Sequence, residues 1–144
     1  MKTIKRLILI ISLISITGFT YSQSCRTFAK KECRPAMAPY IHNGQLNTAI
    51  LFPGDKADIL LTFYSGQKYR ILVCAQAQLK GFSFRILDFD RNEIFNSKTK
   101  NATIFDFKVA STQQLIVEVT VPESKAANGI ESQGCVSIMV GFME

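Results

Sequence analysis

The chain has 144 residues, 47% of them hydrophobic, with 17 Lys and Arg against 11 Asp and Glu and a formal charge of +6. That length suits one domain with a single hydrophobic core. Three of the bases lie in the first six residues; without them 14 bases face 11 acids, and a net +3 is ordinary for solubility and weak support for nucleic-acid or membrane binding.

The chain begins with Lys2, Lys5 and Arg6, continues as an apolar run from Leu7 to Thr17, and leaves through small and polar residues from Gly18 to Ser24. This is the order of a secretory signal peptide. The run is shorter than the roughly 18 apolar residues of a membrane-spanning helix. Cleavage is expected between Ser22 and Cys25. That divides the chain into a signal peptide (1–23), a Cys-containing segment (24–42) and a β-rich domain (43–144). Lipoprotein anchoring at Cys25 is disfavoured, because Ser22 stands where a lipobox usually carries Leu. The expected protein is exported, periplasmic or secreted, with no transmembrane segment in its mature part.

Four cysteines, Cys25, Cys33, Cys74 and Cys135, all follow the leader. An even number in an exported chain reads as two disulfides with three possible connectivities. Zinc fails on spacing, with a single histidine, and no C-x-x-C redox pair is present. Alternation places Cys74 and Cys135 off the more apolar face of their strands. Cys74 ends its strand and Cys135 begins its own, so antiparallel neighbours would bring them to one end of a sheet. The favoured pairing is Cys74–Cys135, leaving Cys25–Cys33. The second bond requires the chain to turn back, because eight residues of continuous helix separate Cα atoms by about 12 Å, beyond the ~7 Å limit of a disulfide. The stretch CRTFAKKECR carries four bases and one acid. It is read as a solvated turn or short helix, anchored by Phe28 and ended by Pro35, in preference to a basic patch.

From Asn43-Gly44, a turn signal, the punctuation is regular. Strands are predicted at Gln45–Leu51, Ala57–Phe63, Lys68–Ala75, Gly81–Asp88, Glu93–Asn96, Thr103–Val109, Gln114–Val121 and Cys135–Phe142. The clearest hairpin is Ala57 to Gln76, two apolar runs joined by Tyr64-Ser65-Gly66-Gln67. The polar stretch Pro122 to Gly134 reads as a surface loop. About eight short strands, short loops and eleven Phe imply an all-β, antiparallel β-sandwich.

The series G-Q-x-Y-R-I-x-V at Gly66–Val73, then F-x-F-x-I-x-D at Phe82–Asp88, then a late aromatic strand, resembles bacterial pre-peptidase C-terminal domains. The resemblance covers roughly Ile59 to Val140. It implies a small jelly-roll-like sandwich without catalysis, although here no peptidase is attached and four cysteines are added.

Asp88, Asp90 and Asn92 place oxygen ligands at alternate positions, a pattern that could hold calcium. The EF-hand loop needs Gly and Glu where Glu93 and Thr99 stand, so a hairpin turn capped by Asp and Asn is preferred. His42 is the one imidazole and sits at a strand end or turn. No nucleophile elbow, phosphate loop or dinucleotide fingerprint is present. A glycosidase pair could be drawn from Asp88, Asp90 or Glu93, but carboxylates so near one another in a turn usually face water. No cofactor other than calcium is implied. The expected function is non-catalytic, binding or structural, with an envelope protein or glycan as partner. The alternative is a small hydrolase or inhibitor-like effector with its site near the 88–93 turn or the 122–134 loop.

Overall fold

Strands that alternate apolar and polar side chains have one face to bury, and this chain buries them against one another in two antiparallel sheets. The computed structural model describes residues 24–124 and 132–144. The readings of residues 1–23, and positions 125–131 of the expected loop, lie outside them. The described strands are β1 (Ile41–His42), β2 (Asn47–Leu51), β3 (Lys56–Phe63), β4 (Lys68–Ala75), β5 (Ser83–Leu87), β6 (Glu93–Asn96), β7 (Ile104–Lys108), β8 (Gln113–Thr120) and β9 (Gly134–Met143). In the first sheet β1 and β2 lie in line along one edge of β9, which is followed by β4 and β7. The second sheet runs β3, β8, β5, β6. Setting aside the two-residue β1, the order 2-9-4-7 over 3-8-5-6 is that of a jelly roll. The expected sandwich is therefore the observed one.

The stretch Ala57–Gln76 is not a hairpin. β3 pairs with β8, whereas β4 pairs with β7 and β9, so Tyr64–Gln67 carries the chain from one sheet across to the other. Alternation tells which face of a strand is buried but not which strand supplies its hydrogen bonds, so an arch and a hairpin share one pattern. Gly66, at φ +87°, makes the bend. The buried Tyr69 closes it: its hydroxyl donates to Gln67 Oε1 at 2.8 Å and accepts from the Tyr64 N–H at 3.2 Å. Among the described strands only β5 and β6 are both consecutive and paired.

Between the sheets Ile71, Val73, Phe84, Ile86, Val117 and Val119 are buried. A run of rings crosses the sandwich from Phe84 through Phe95, Phe105, Phe107 and Phe63 to Tyr69, with successive centroids 5.5, 4.7, 5.0, 5.1 and 5.0 Å apart. Phe95 comes from β6 and Phe105 and Phe107 from β7, so these three close the β6–β7 side, while Phe63 and Tyr69 carry the run across to the β3 corner. Among the described residues the β1/β2–β3 side has no such seal.

The disulfides correct the expected pairing: Cys25 is bonded to Cys135, and Cys33 to Cys74. The sheet half of the expectation holds. β4 and β9 are antiparallel neighbours, and Cys74 lies opposite Ser137, two residues beyond Cys135. The N-terminal segment, however, does not turn back. Helix α1 (Cys25–Phe28) runs directly into a π-helical turn (Ala29–Cys33) and a 3₁₀ turn (Arg34–Met37). A continuous helix cannot close Cys25 on Cys33, and it reaches two separate sites on the sheet instead. Pro35 opens the 3₁₀ turn, where its missing N–H costs nothing, rather than ending the helix. Phe28, Cys33 and Met37 then pack on Leu72, Cys135 and Met139 as a second core on the outer face of the first sheet. Ser137 lies on that face, fully buried, its hydroxyl without a hydrogen-bond partner.

Candidate functional site

Asp88, Asp90 and Asn92 sit in the turn between β5 and β6. The Asp88 carboxylate is used within that turn: one oxygen accepts the Asn92 N–H and the other the Asn92 side-chain amide, both at 2.8 Å. The side-chain bond from Asn92, followed by its backbone bond, holds the Asp88 carboxyl below its ordinary range. Among the described residues no three His, Cys, Asp or Glu side chains converge as a metal-holding group. His42 is also engaged locally. Its Nδ1 accepts from the Gly44 N–H at 3.3 Å, which leaves Nε2 to donate to the Gln45 carbonyl at 3.0 Å. That contact fixes the tautomer and makes His42 a pin between β1 and β2. All four cysteines are bridged.

One charged cluster escaped sequence reasoning because its members come from four places in the chain. Glu118, in the middle of β8 on the outer face of the second sheet, lies between Asp58 of β3 and Arg85 of β5. Its side chain is 5% exposed. Arg85 Nε donates to Glu118 at 3.0 Å, and a second Arg85 nitrogen makes a shorter contact with the same oxygen. Lys56 stands 3.6 Å away and Arg91 3.8 Å, with Arg91 also on Asp58 at 3.0 Å and Arg85 on Glu93 at 3.4 Å. Three acids and three bases thus satisfy one another. Burial pushes the Glu118 carboxyl up, but the Arg85 hydrogen bond and the charges of Arg85 and Lys56 outweigh it and hold the group below its usual range.

The sign of the pH dependence follows. A depressed folded-state pKa contributes stability above the unfolded value, and that stability is lost as pH falls through the folded value. Urea midpoints are expected to hold from neutral pH down to about the ordinary Glu pKa near 4.3 and to decline below it. Arg85→Met should cost about 1–2 kcal/mol at pH 7, the lower part of the range for charged hydrogen bonds because Arg85 is 40% exposed and screened. It should also flatten the acid limb. An unchanged limb in that variant would show that Glu118 does not set it.

The open side of the sandwich offers a surface of another kind. Ala57, Ile59 and Leu61 point inward from β3, yet all three are only partly buried, because among the described residues nothing covers the gap between β3 and β2. Two cavities follow this seam. One, of about 380 Å³, has Leu51, Ile59, Val119, Val136 and Ile138 among its walls. The other, of about 530 Å³, has Leu61, Phe63, Tyr69, Val140 and Phe142. Asn43, Gln45, Asn47 and Thr48 give the rim polar groups. The outward Leu60 is 47% exposed.

Among the described strands β3 pairs with β8 alone, and so is an edge strand over its whole length. Val121 N–H donates to the Asp55 carbonyl while Gly54 N–H donates to the Val121 carbonyl, so a glycine bulge starts the ladder and sets its phase. With Ala57 opposite Val119 and Ile59 opposite Val117, the odd-numbered residues of β3 bond to β8. The N–H and C=O groups of Lys56, Asp58, Leu60 and Thr62 therefore point away from β8. The register runs unbroken for eight residues with no proline. Such an edge presents an unfilled template for another strand. In the sequence the only trace is Leu60 interrupting an otherwise polar outward set.

No family model matches the chain, and no curated protein matches it. Among solved structures the chain is similar to PliG of Aeromonas hydrophila, described as a periplasmic lysozyme inhibitor of g-type lysozyme. The TM-score is 0.49 at 10% identity, covering 73% of this chain and 89% of that one.

Proposed function

We propose that the protein is a non-catalytic, exported binding module that takes an extended segment of a partner polypeptide along β3, with the partner's alternate side chains entering the seam beside it. One observation carries this reading: an eight-residue edge strand with free backbone groups borders an apolar groove. Main-chain bonds along the edge would supply affinity, and the pockets would select side chains. The two disulfides support an oxidising compartment, as does the leader-like start of the sequence. Self-satisfied Asp88, His42 and Glu118 support a role without acid–base chemistry. The resemblance to pre-peptidase C-terminal domains belongs to the same reading.

Leu60→Pro tests it. Proline removes only an N–H that faces the open edge, so the fold should survive, whereas Ile59→Pro removes a bond to β8 and should unfold the domain. A photo-crosslinker at position 62 of the exported protein is expected to capture a partner polypeptide in envelope extract, and Leu60→Pro should abolish the capture. In the captured complex the amides of Asp58, Leu60 and Thr62 should gain protection from hydrogen exchange. A folded Leu60→Pro variant that captures the same partner equally well rules out strand addition. The inhibitor reading is tested separately, by adding the protein to g-type lysozyme and following lysis; inhibition that persists in Leu60→Pro would place an inhibitory site elsewhere.

A further inference from the structure

We propose that the disulfide-anchored helical face binds anionic phospholipid surfaces. Arg26, Lys30, Lys31 and Arg34 are all exposed on the segment that covers the first sheet. None of them takes part in an ion pair among the described residues. The same outer face adds Lys68 of β4 and Lys108 of β7, which stand opposite each other and are likewise without ion pairs. Counting along the sequence misses these two, which is why the CRTFAKKECR stretch alone falls short of a basic patch.

Its acids are few. Asp106 is held by Arg70 through two hydrogen bonds of 2.8 and 2.7 Å, leaving Glu32, with Glu144 just beyond Met143 opposite Lys68, to oppose six cations. The outer face of the second sheet, by contrast, balances its charges through the Glu118 network. Arg26, Lys30 and Arg34 follow one another at four-residue intervals, a like-charge spacing that weakens an isolated helix. Here two disulfides and the packing of Phe28 and Met37 hold the segment in place against that repulsion. Ile50, opposite Cys135 on β2 and so beside the Cys25 bridge, is 56% exposed and adds an apolar side chain at the margin.

Four to eight clustered Lys and Arg with a nearby apolar group is the pattern that attracts a polypeptide to anionic headgroups. Nucleic acid fits less well, because no aromatic side chain is interleaved with the cations except Tyr40, which is already stacked under Arg70.

The test is flotation of the disulfide-intact protein with phosphatidylcholine vesicles, with and without phosphatidylglycerol. Binding is expected only with phosphatidylglycerol and should weaken as salt is raised. Lys30→Glu/Lys31→Glu should reduce partitioning by at least about tenfold, with an unchanged far-ultraviolet dichroism spectrum. Lys80→Glu, in the turn after β4, should leave it unchanged. Equal binding to both vesicles, binding unaffected by the double reversal, or binding to double-stranded DNA without vesicle binding would each overturn the proposal.

Discussion

Replacing Cys25 and Cys135 together by Ala is expected to lower the unfolding free energy by about 4 kcal/mol, within the usual range for losing a native disulfide in a small domain. The two residues are 110 apart in sequence, and the bond ties the start of the described chain to its last strand. Chain-entropy reasoning assigns about 5 kcal/mol to closing so long a loop and about 4 kcal/mol to the 41-residue separation of Cys33 and Cys74. Either loss also frees one end of the helical segment from Leu72 and Met139, exposing apolar surface on the outer face of the first sheet. Urea unfolding of each paired variant measures the effect. Proteolysis without reduction should yield Cys25–Cys135 and Cys33–Cys74 peptides. A Cys25–Cys33 peptide would refute the observed connectivity and, with it, the continuous helix.

Phe63→Ala should cost about 3–5 kcal/mol, the range for truncating a buried aromatic. Phe63 is 1% exposed at the end of β3 and meets Tyr69 and Phe107 edge-on, with centroids 5.0 and 5.1 Å away and interplanar angles of 78° and 72°. It joins the ring series that closes one side of the sandwich to the Tyr69 arch that switches sheets. Truncation thus removes transfer energy and leaves a cavity between two sheets that cannot collapse independently. Phe63→Leu keeps most of the volume and should cost less than half as much, the difference reflecting the lost ring contacts. A cost below about 1 kcal/mol for the alanine variant would mean that the arch, and not the ring, holds this corner.

Most strand positions were legible from periodicity, because a half-buried strand writes its buried face into the sequence at a period of two residues. Lys68–Ala75 and Glu93–Asn96 match their predicted limits, and the others shift by a residue or two. The stretch that forms β1 reads in the sequence as a strand end or turn, since two residues carry no period. The candidate groove was not legible. Ala57, Ile59 and Leu61 alternate in the same way whether their strand lies at an edge or in the centre, and it is the place of β3 at the edge of the described sheet that opens the seam.

The sequence by itself determined the class of fold, the buried face of each strand and the placement of Cys74 and Cys135 on the outer face of neighbouring strands. These are local properties, set by side-chain alternation and turn residues within a few positions. Tertiary structure alone decided that Ala57–Gln76 is an arch between sheets, that Cys25 and Cys33 reach across to Cys135 and Cys74, and that cations from the helix, β4 and β7 share a face. Each of these depends on which distant segments become neighbours. That choice is made by packing two sheets and a helix against one another at once, and no window of sequence contains it.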